Sequence, residues 1–335
     1  MKKGVIICAI LDLLAFTCLF LAYGPISYFR NLLITTAMTT KSHHYLAYTL
    51  YSKATIEKVL ASNYMIEDSN NSNDDIDFSK SNKTTYDSVY EEQILKKDKG
   101  NSLYKIIPLS GSGYKGNMVV IYDSKRISLV SSRYLGTRGE TLSALSENNN
   151  AIIGMNASGF VDVGGHGSGG APTGQVIQNG KVVYTGGTTG HGGGLAGFNK
   201  DGVLVLTRES ASVAISKGLV DAVEFGPFLM INGNASNVVG NGGWGIAPRT
   251  VLAQRKDGIV LFIVIDGRQP GYSIGTDMGE LIDILTNYGT YNAVNLDGGA
   301  SSTLTVNGKL YNKPCGIKAD GSFGERALPN AWIVK

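Results

Sequence analysis

IVLFIVIDGRQPGYSIGTDMGELIDILTNYGTYNAVNLDGG, residues 259–299, reads as strand, helix, strand. The first run, 259–265, is short, continuous in apolar residues and rich in β-branched ones, which suits a strand buried on both faces. It stops at Asp266-Gly267. Asp277 then offers a helix cap, with Glu280 three residues on as a capping-box partner. Met278, Leu281, Ile282, Leu285 and Tyr288 follow helical spacing, and Gly289 can close the helix in the left-handed region. A second strand, AVNL (293–296), stops at Asp297-Gly298. Two strands joined through a helix are expected to run parallel. Their C-terminal ends then share one rim, the place where open α/β sheets bind ligands. Asp266 and Asp297 are therefore expected on one crevice, where two carboxyls can divide acid and base roles. The bland alternative is that each acid only caps a turn through the glycine after it.

Outward from this unit, from about residue 103, the chain is a series of short apolar runs: MVVIYD (118–123), AIIGMN (151–156), VLVLT (203–207). Asn179-Gly180, Asp201-Gly202, Asp257-Gly258 and Asn307-Gly308 separate such runs and are hairpin signals. Glycine, 44 of 335 residues, fits a chain of tight turns. The expected class is α+β: mixed, strand-rich sheets with one strand–helix–strand crossover and few helices, preceded by a transmembrane helix.

The N-terminus supplies that last element. Lys2 and Lys3 precede VIICAILDLLAFTCLFLAYGPISYF (5–29), long enough to cross a bilayer. Asp12 costs about 2.5–3.5 kcal/mol at a helix centre and less near an end. The run is longer than the core of a cleaved signal peptide and lacks a good cleavage site. The expected organisation is a membrane anchor over 1–34, a helical stalk and polar linker over 35–100, and a catalytic domain over 101–335 that faces outward, as a single-pass protein of the cell membrane. In the stalk Leu46, Leu50, Ala54, Val59 and Leu60 form an apolar stripe. EDSNNSNDDIDFSKSNK (67–83) is acidic and Asn/Ser-rich and reads as a flexible linker.

A net charge of +3 without a clustered basic face argues against nucleic acid. Cys8 and Cys18 lie in the apolar run and Cys315 stands alone beyond it, so the soluble part has no internal disulfide and Cys315 reads as a small buried side chain. No HExxH, CxxC or EF-hand pattern is present; no metal and no cofactor is expected. The glycine-rich stretches 163–174 and 185–194 lack the Lys-Ser/Thr ending of a P-loop. Their His166 and His191 read first as incidental, with a proton donor or a pair of metal ligands as the sharper alternative. His43 and His44 read as a solvated pair. Ser168 does not sit in a Gly-x-Ser-x-Gly elbow.

Arg249 begins another apolar run, Arg268 follows Asp266, and Glu325-Arg326 precedes the strand-like AWIV (331–334). Three guanidinium groups on segments flanking one rim suit a phosphate, because the planar fork donates two parallel hydrogen bonds.

At these residues the chain resembles the phosphodiester glycosidase family. The matching blocks are NASGF (156–160), GPFLMINGN (226–234), APRTVLAQRKDG (247–258), VIDGRQPGYSIG (264–275), NLDGGASST (295–303) and ERALPN (325–330), in the family's order over roughly 150–335. Two positions depart from the family pattern: Ala157-Ser158 in the first block and Ala300 after NLDGG. Neither removes a charged group. The resemblance implies hydrolysis of a sugar-1-phosphodiester, N-acetylglucosamine-like, on a cell-surface glycan or exopolysaccharide. It implies Asp297 and Glu325 as acid/base or nucleophile, with Asp266 at the catalytic centre to orient an arginine or bind sugar hydroxyls. Arg249, Arg268, Arg326, Asn295, Ser301, Ser302 and the amides of Gly298 and Gly299 would hold phosphate or sugar, with Asn156 and Glu224 as further contacts. The partners so implied are a carbohydrate phosphodiester or polysaccharide, and the membrane through the N-terminal helix. Two other readings stay open: a surface glycan-binding module without catalysis, and a transferase that passes the sugar phosphate to a growing polymer.

Overall fold

The computed structural model describes residues 2–40, 43–79, 85–161, 168–187, 190, 192–317 and 322–335. The chain divides into two units. The smaller comprises Met1–Met65, Val238–Ile246 and Asp277–Gly279; the larger comprises Ile66–Asn237, Ala247–Thr276 and Glu280–Lys335.

The smaller unit begins with helix Lys2–Tyr23. Lys3–Tyr23 is long and apolar enough to cross a membrane, and its apolar side chains are exposed. The expected stalk helix is three shorter helices, Ser27–Met38, His44–Leu50 and Lys53–Ala61. Ser52 starts the last by accepting from the Thr55 amide at 3.2 Å. These breaks shift the buried face. Ile34, Ala37, Ala47, Tyr51, Ile56 and Val59 form the core, whereas Leu46 and Leu50 of the expected stripe are exposed. The stripe assumed one continuous helix, and each break resets the helical phase. A distant stretch completes this unit: Asn241 Nδ2 donates to Thr35 Oγ1 at 2.9 Å, and the Asn241 amide donates to Asn63 Oδ1 at 2.9 Å.

In the larger unit three antiparallel sheets enclose one core. The seven-stranded sheet runs in the order Asn234–Ala235, Phe228–Ile231, Thr290–Asn295, Arg249–Arg255, Val260–Ile265, Lys115–Ile121, Tyr104–Ser110. One five-stranded sheet is ordered Lys181–Thr185, Gln175–Gln178, Leu219–Phe225, Gly194–Asn199, Leu204–Thr207. The other is ordered Lys309–Leu310, Leu304–Val306, Ile153–Asn156, Asn330–Val334, Ile127–Ser131. Alternate residues of all three meet in the core: Leu252, Phe262, Val264 and Val294 from the first, Ala196, Leu206, Val223 and Phe225 from the second, Leu129, Met155 and Trp332 from the third. Trp332 meets Phe198 edge-on, with ring centroids 5.5 Å apart. All four Asn-Gly and Asp-Gly signals lie at hairpin turns. Asn179 and Asn307 take φ near +50 before glycines that also have positive φ, which fits type I′ geometry.

The crossover is present, with a strand between its arms. Val260–Ile265 and Thr290–Asn295 each pair antiparallel with Arg249–Arg255, so the two run parallel to each other without sharing hydrogen bonds. The connecting helix is Met278–Asn287; Leu281 and Leu285 are fully buried, and Gly289 follows at φ +66. Register fixes the rim. Arg249 faces Ile265, Val251 faces Asn295 and Ile265 faces Gly116. The ends of two strands and the starts of two others therefore share one edge.

The larger unit takes in the chain from Ile66, and the described part of the expected linker is bonded to it as a strap. The Ser72 amide donates to the Leu206 carbonyl at 2.8 Å, and the Asp77 amide to the Lys256 carbonyl at 2.8 Å. Glu67 accepts from the amides of Gly193 at 3.0 Å and Phe228 at 2.8 Å and from Arg208 Nη2 at 3.0 Å. A strap held by polar bonds needs no apolar residues, so its composition reads as linker.

Candidate active site

Asp266, at the end of Val260–Ile265, is buried, at 1% exposure. Burial raises its carboxyl above the ordinary carboxylate range, opposed by hydrogen bonds from Asn312, Tyr272 and the Lys313 amide and by the charge of Lys313. Asn312 Nδ2 donates to Oδ1 at 2.8 Å, Tyr272 Oη to Oδ2 at 2.9 Å, and the Lys313 amide to Oδ1 at 3.1 Å. The Tyr272 hydroxyl is in turn pushed up to about 12, by burial and by Asp266. Asn312 Nδ2 also reaches the Ser302 carbonyl at 3.0 Å, and Asn312 Oδ1 takes the Leu304 amide at 2.8 Å. Asp266 is thus joined through one asparagine to the loop that carries Ser301 and Ser302.

Asp297, at the end of the parallel arm, is half-buried. Its backbone is fixed at both ends: the amide donates to the Ala157 carbonyl at 3.3 Å, and the carbonyl accepts from Asn156 Nδ2 at 2.7 Å. Asn156 Oδ1 accepts from Thr250 Oγ1 at 2.9 Å and from the Thr303 amide at 3.1 Å. Thr250 Oγ1 lies 3.2 Å from Ser302 Oγ. Asn156 is thereby a brace for the Asp297 turn, with every polar atom of its carboxamide engaged inside the protein. The turn sits on Pro248: the Gly299 amide donates to the Pro248 carbonyl at 2.9 Å, and a Cβ on Gly298 would come 2.7 Å from that oxygen. The close backbone approach favours glycine at 298, and φ +62 favours it at 299. Two buried polar atoms here, Asn295 Oδ1 and Ser301 Oγ, have no hydrogen-bond partner among the described residues, whereas Asn295 Nδ2 donates to the Gly226 carbonyl at 3.1 Å.

The three arginines differ. Arg249 is buried, and its Nε donates to the Thr276 carbonyl at 3.2 Å. Arg268 is exposed, takes φ +58, and lays its guanidinium against Gly299, where a Cβ would meet Nη1 at 3.1 Å. Arg268 also bonds the Cys315 thiol, which burial raises above the ordinary thiol value. Arg326 is stacked on Phe160, its guanidinium carbon 4.4 Å from the ring centroid. Phe160 lies four residues after Asn156, the brace of the Asp297 turn. Glu325, next to Arg326 in the chain, accepts from the amide of Ser143 at 2.9 Å and its hydroxyl at 2.5 Å, at the first turn of helix Leu142–Asn148. Glu224 lies on a different sheet and accepts from the Gln175 amide at 3.0 Å.

Of the residues read from sequence, Asn156, Arg249, Asp266, Arg268, Asn295, Asp297, Gly298, Gly299, Ser301 and Ser302 belong to one bonded cluster or abut it. Glu325 is bonded to Ser143 and Arg326 is stacked on Phe160, and Glu224 accepts from the Gln175 amide. His166 and His191 lie outside the described residues. Among the described residues no group of three or more His, Cys, Asp or Glu side chains is placed to hold a metal. Sequence reasoning missed Tyr272, Asn312 and Lys313, which surround Asp266. Tyr272 was inside a quoted block; nothing marked Asn312.

Residues 149–335 match the NAGPA model, the phosphodiester glycosidase family. The chain is 30% identical over 200 residues to the SPbeta prophage-derived uncharacterized protein YomE of Bacillus subtilis, covering 57% of this chain and 30% of that protein. It is 27% identical over 163 residues to the bovine N-acetylglucosamine-1-phosphodiester alpha-N-acetylglucosaminidase, covering 42% of this chain and 30% of that protein. The matches thus span about a third of the length of either relative. The fold is similar to the zebrafish N-acetylglucosamine-1-phosphodiester alpha-N-acetylglucosaminidase catalytic domain, auto-inhibited by its pro-peptide, with TM-score 0.58 and 19% identity over 71% of this chain and 85% of that one. The blocks that build the rim lie inside the matched segment, and on that match the chain belongs to the phosphodiester glycosidase family.

Proposed function

We propose that the rim hydrolyses a sugar-1-phosphodiester, with the sugar N-acetylglucosamine-like and the substrate part of a cell-surface glycan. The observation that supports this most is the Asp297 turn. It offers a half-buried carboxylate on a backbone fixed at both ends, with Arg268 against the adjoining Gly299. In this reading the C1–O bond to phosphate breaks, a phosphate monoester leaves, and water supplies the new C1 hydroxyl. Asp297 acts at the anomeric carbon, as nucleophile or as base for the attacking water. Glu325 is the second carboxylate of the pair such reactions commonly use. Arg268, Arg249 and Arg326 neutralise the departing phosphate, and guanidinium groups suit its oxygens. Phosphate is a good leaving group, so acid assistance to it is a small part of the barrier.

Asp266 is better suited to positioning than to proton transfer, because its oxygens already accept three hydrogen bonds. Asn295 Oδ1 and Ser301 Oγ, without partners among the described residues, are suited to accept from or donate to sugar hydroxyls. The N-terminal helix serves as a membrane anchor, with the larger unit outside the cell.

The experiment is hydrolysis of a chromogenic N-acetylglucosamine-1-phosphodiester by the full chain, with Asp297→Asn and Glu325→Gln made separately. Release of free sugar by the unmodified chain and its loss in both variants is expected. Unchanged turnover in both variants would end the assignment of roles, and binding without turnover in the unmodified chain would favour a glycan-binding module. Adding an acceptor alcohol separates hydrolysis from transfer.

A further inference from the structure

Beside the Asp297 turn the rim continues into a second, positively charged surface that the reaction at one phosphodiester does not require. Lys115 starts the strand Lys115–Ile121, and its carbonyl accepts the Asp266 amide at 2.9 Å. Lys313 lies on the loop whose amide holds the Asp266 carboxylate. Both ammonium groups converge on one aromatic ring: Lys313 Nζ is 4.3 Å and Lys115 Nζ 5.2 Å from the Tyr272 centroid. The ring cannot drift, because its hydroxyl is bonded to Asp266. Arg268 extends the surface toward the Asp297 turn, and Gln269 Nε2 ties that loop to the Lys313 carbonyl at 2.7 Å.

Lys115, Arg268 and Lys313 are all exposed. No ion pair among the described residues joins any of them to a carboxylate. Asp266, the acid between them, is buried and already bonded. Two ammonium groups beside one ring, at 4.3 and 5.2 Å from its centroid, attract a bound anion together. Exposed Ile274 and Tyr311 add apolar surface on the same loops, at 44% and 48% exposure. Fixed cations alternating with apolar side chains suit a chain of sugars bearing regularly spaced negative charge.

We infer that Arg268, Lys313 and Lys115, on the Tyr272 platform, form a track for the continuation of an anionic polymer whose repeats are joined by phosphodiesters, so that the substrate is such a polymer rather than a small ester. This rests on the glycosidase reading above and deepens it. Arg268 contacts the scissile repeat, and the two lysines contact the next one.

The test compares two substrates of the full chain: a methyl diester of a sugar-1-phosphate, with one charge, and a synthetic oligomer of the same sugar linked through 1-phosphodiesters. In Lys115→Gln/Lys313→Gln the KM for the oligomer should rise roughly five- to tenfold, on the scale of two exposed charge contacts. Its kcat, and both constants for the methyl diester, should hold. The oligomer KM of the unmodified chain should also climb with salt, and that of the variant much less. Equal oligomer KM in both proteins, or a parallel rise for both substrates, would overturn the track. Titration of the oligomer onto the Asp297→Asn chain separates this from the catalytic reading. Lysine-dependent binding without turnover by any form keeps the track and sinks the glycosidase. Turnover that ignores the lysines does the reverse.

Discussion

Two loops of this protein begin alike and end differently. Each follows a buried strand, each opens with Asp-Gly, and the two leave the same edge of the same sheet. Asp266 is closed over by Tyr272, Asn312 and the Lys313 amide, so its charge is spent inside the protein. Asp297 is half-buried at the rim, and its backbone is fixed at both ends, through Asn156 and Ala157. The same dipeptide makes an anchor in one place and a candidate reacting group in the other. The groups that enclose Asp266 come from Tyr272 on its own loop and from a third stretch of chain, residues 312–313.

The strongest way to break the comparison is Asp297→Asn. A thousandfold or greater loss of phosphodiester hydrolysis is expected, the scale of removing a reacting or proton-transferring group. The melting temperature should stay within a few degrees. A variant that keeps most activity would make the two loops equivalent.

Asp266→Asn should do the opposite. The amide cannot accept every bond that the carboxylate takes, leaving a buried donor unsatisfied. A stability loss of about 1–3 kcal/mol is expected by urea titration, with a smaller loss of activity than Asp297→Asn. The pH dependence sharpens this. The folded-state value of Asp266 is raised, so the folded protein holds that proton more tightly than the unfolded chain. Its contribution is fully present below the unfolded value of about 4 and is lost as pH rises through the raised folded value. Urea titrations across that range should therefore show the advantage of the unmodified chain over Asp266→Asn shrinking as pH rises. A constant difference would show that Asp266 does not titrate as burial implies.

Gly299→Ala probes the other loop's backbone. Its φ of +62 and the Arg268 guanidinium leave poor room for a methyl group. A cost of about 1–2 kcal/mol by thermal unfolding is expected, with KM rising more than kcat falls as Arg268 is displaced. The smallest effect is expected for Tyr272→Phe, which removes one of the bonds on Asp266. About 1 kcal/mol of stability should go, with activity on a small diester within a few-fold of the unmodified chain.

How far these features were legible depends on how local their causes are. The strand–helix–strand unit was readable because apolar spacing and capping residues act within a few residues of chain. Parallel running of its arms followed from connectivity. That Arg249–Arg255 lies between them did not, since a strand supplied from outside the unit leaves no mark within it. The strap from Glu67 shows where composition says least about structure. Acidic and Asn-rich composition signals a lack of apolar burial, which was correct, but the segment is held by backbone amides and an arginine.

The sequence by itself determined the hairpins, the crossover, the apolar N-terminal helix, and the family blocks that hold most of the rim. These follow from residue type and short-range spacing. Tertiary structure alone decided which aspartate is closed over, that Asn156 is a brace, that Glu325 bonds the first turn of a helix, and that two lysines meet on Tyr272. Each depends on contacts between residues far apart in the chain. Burial and charge there are set by neighbours that no local pattern names.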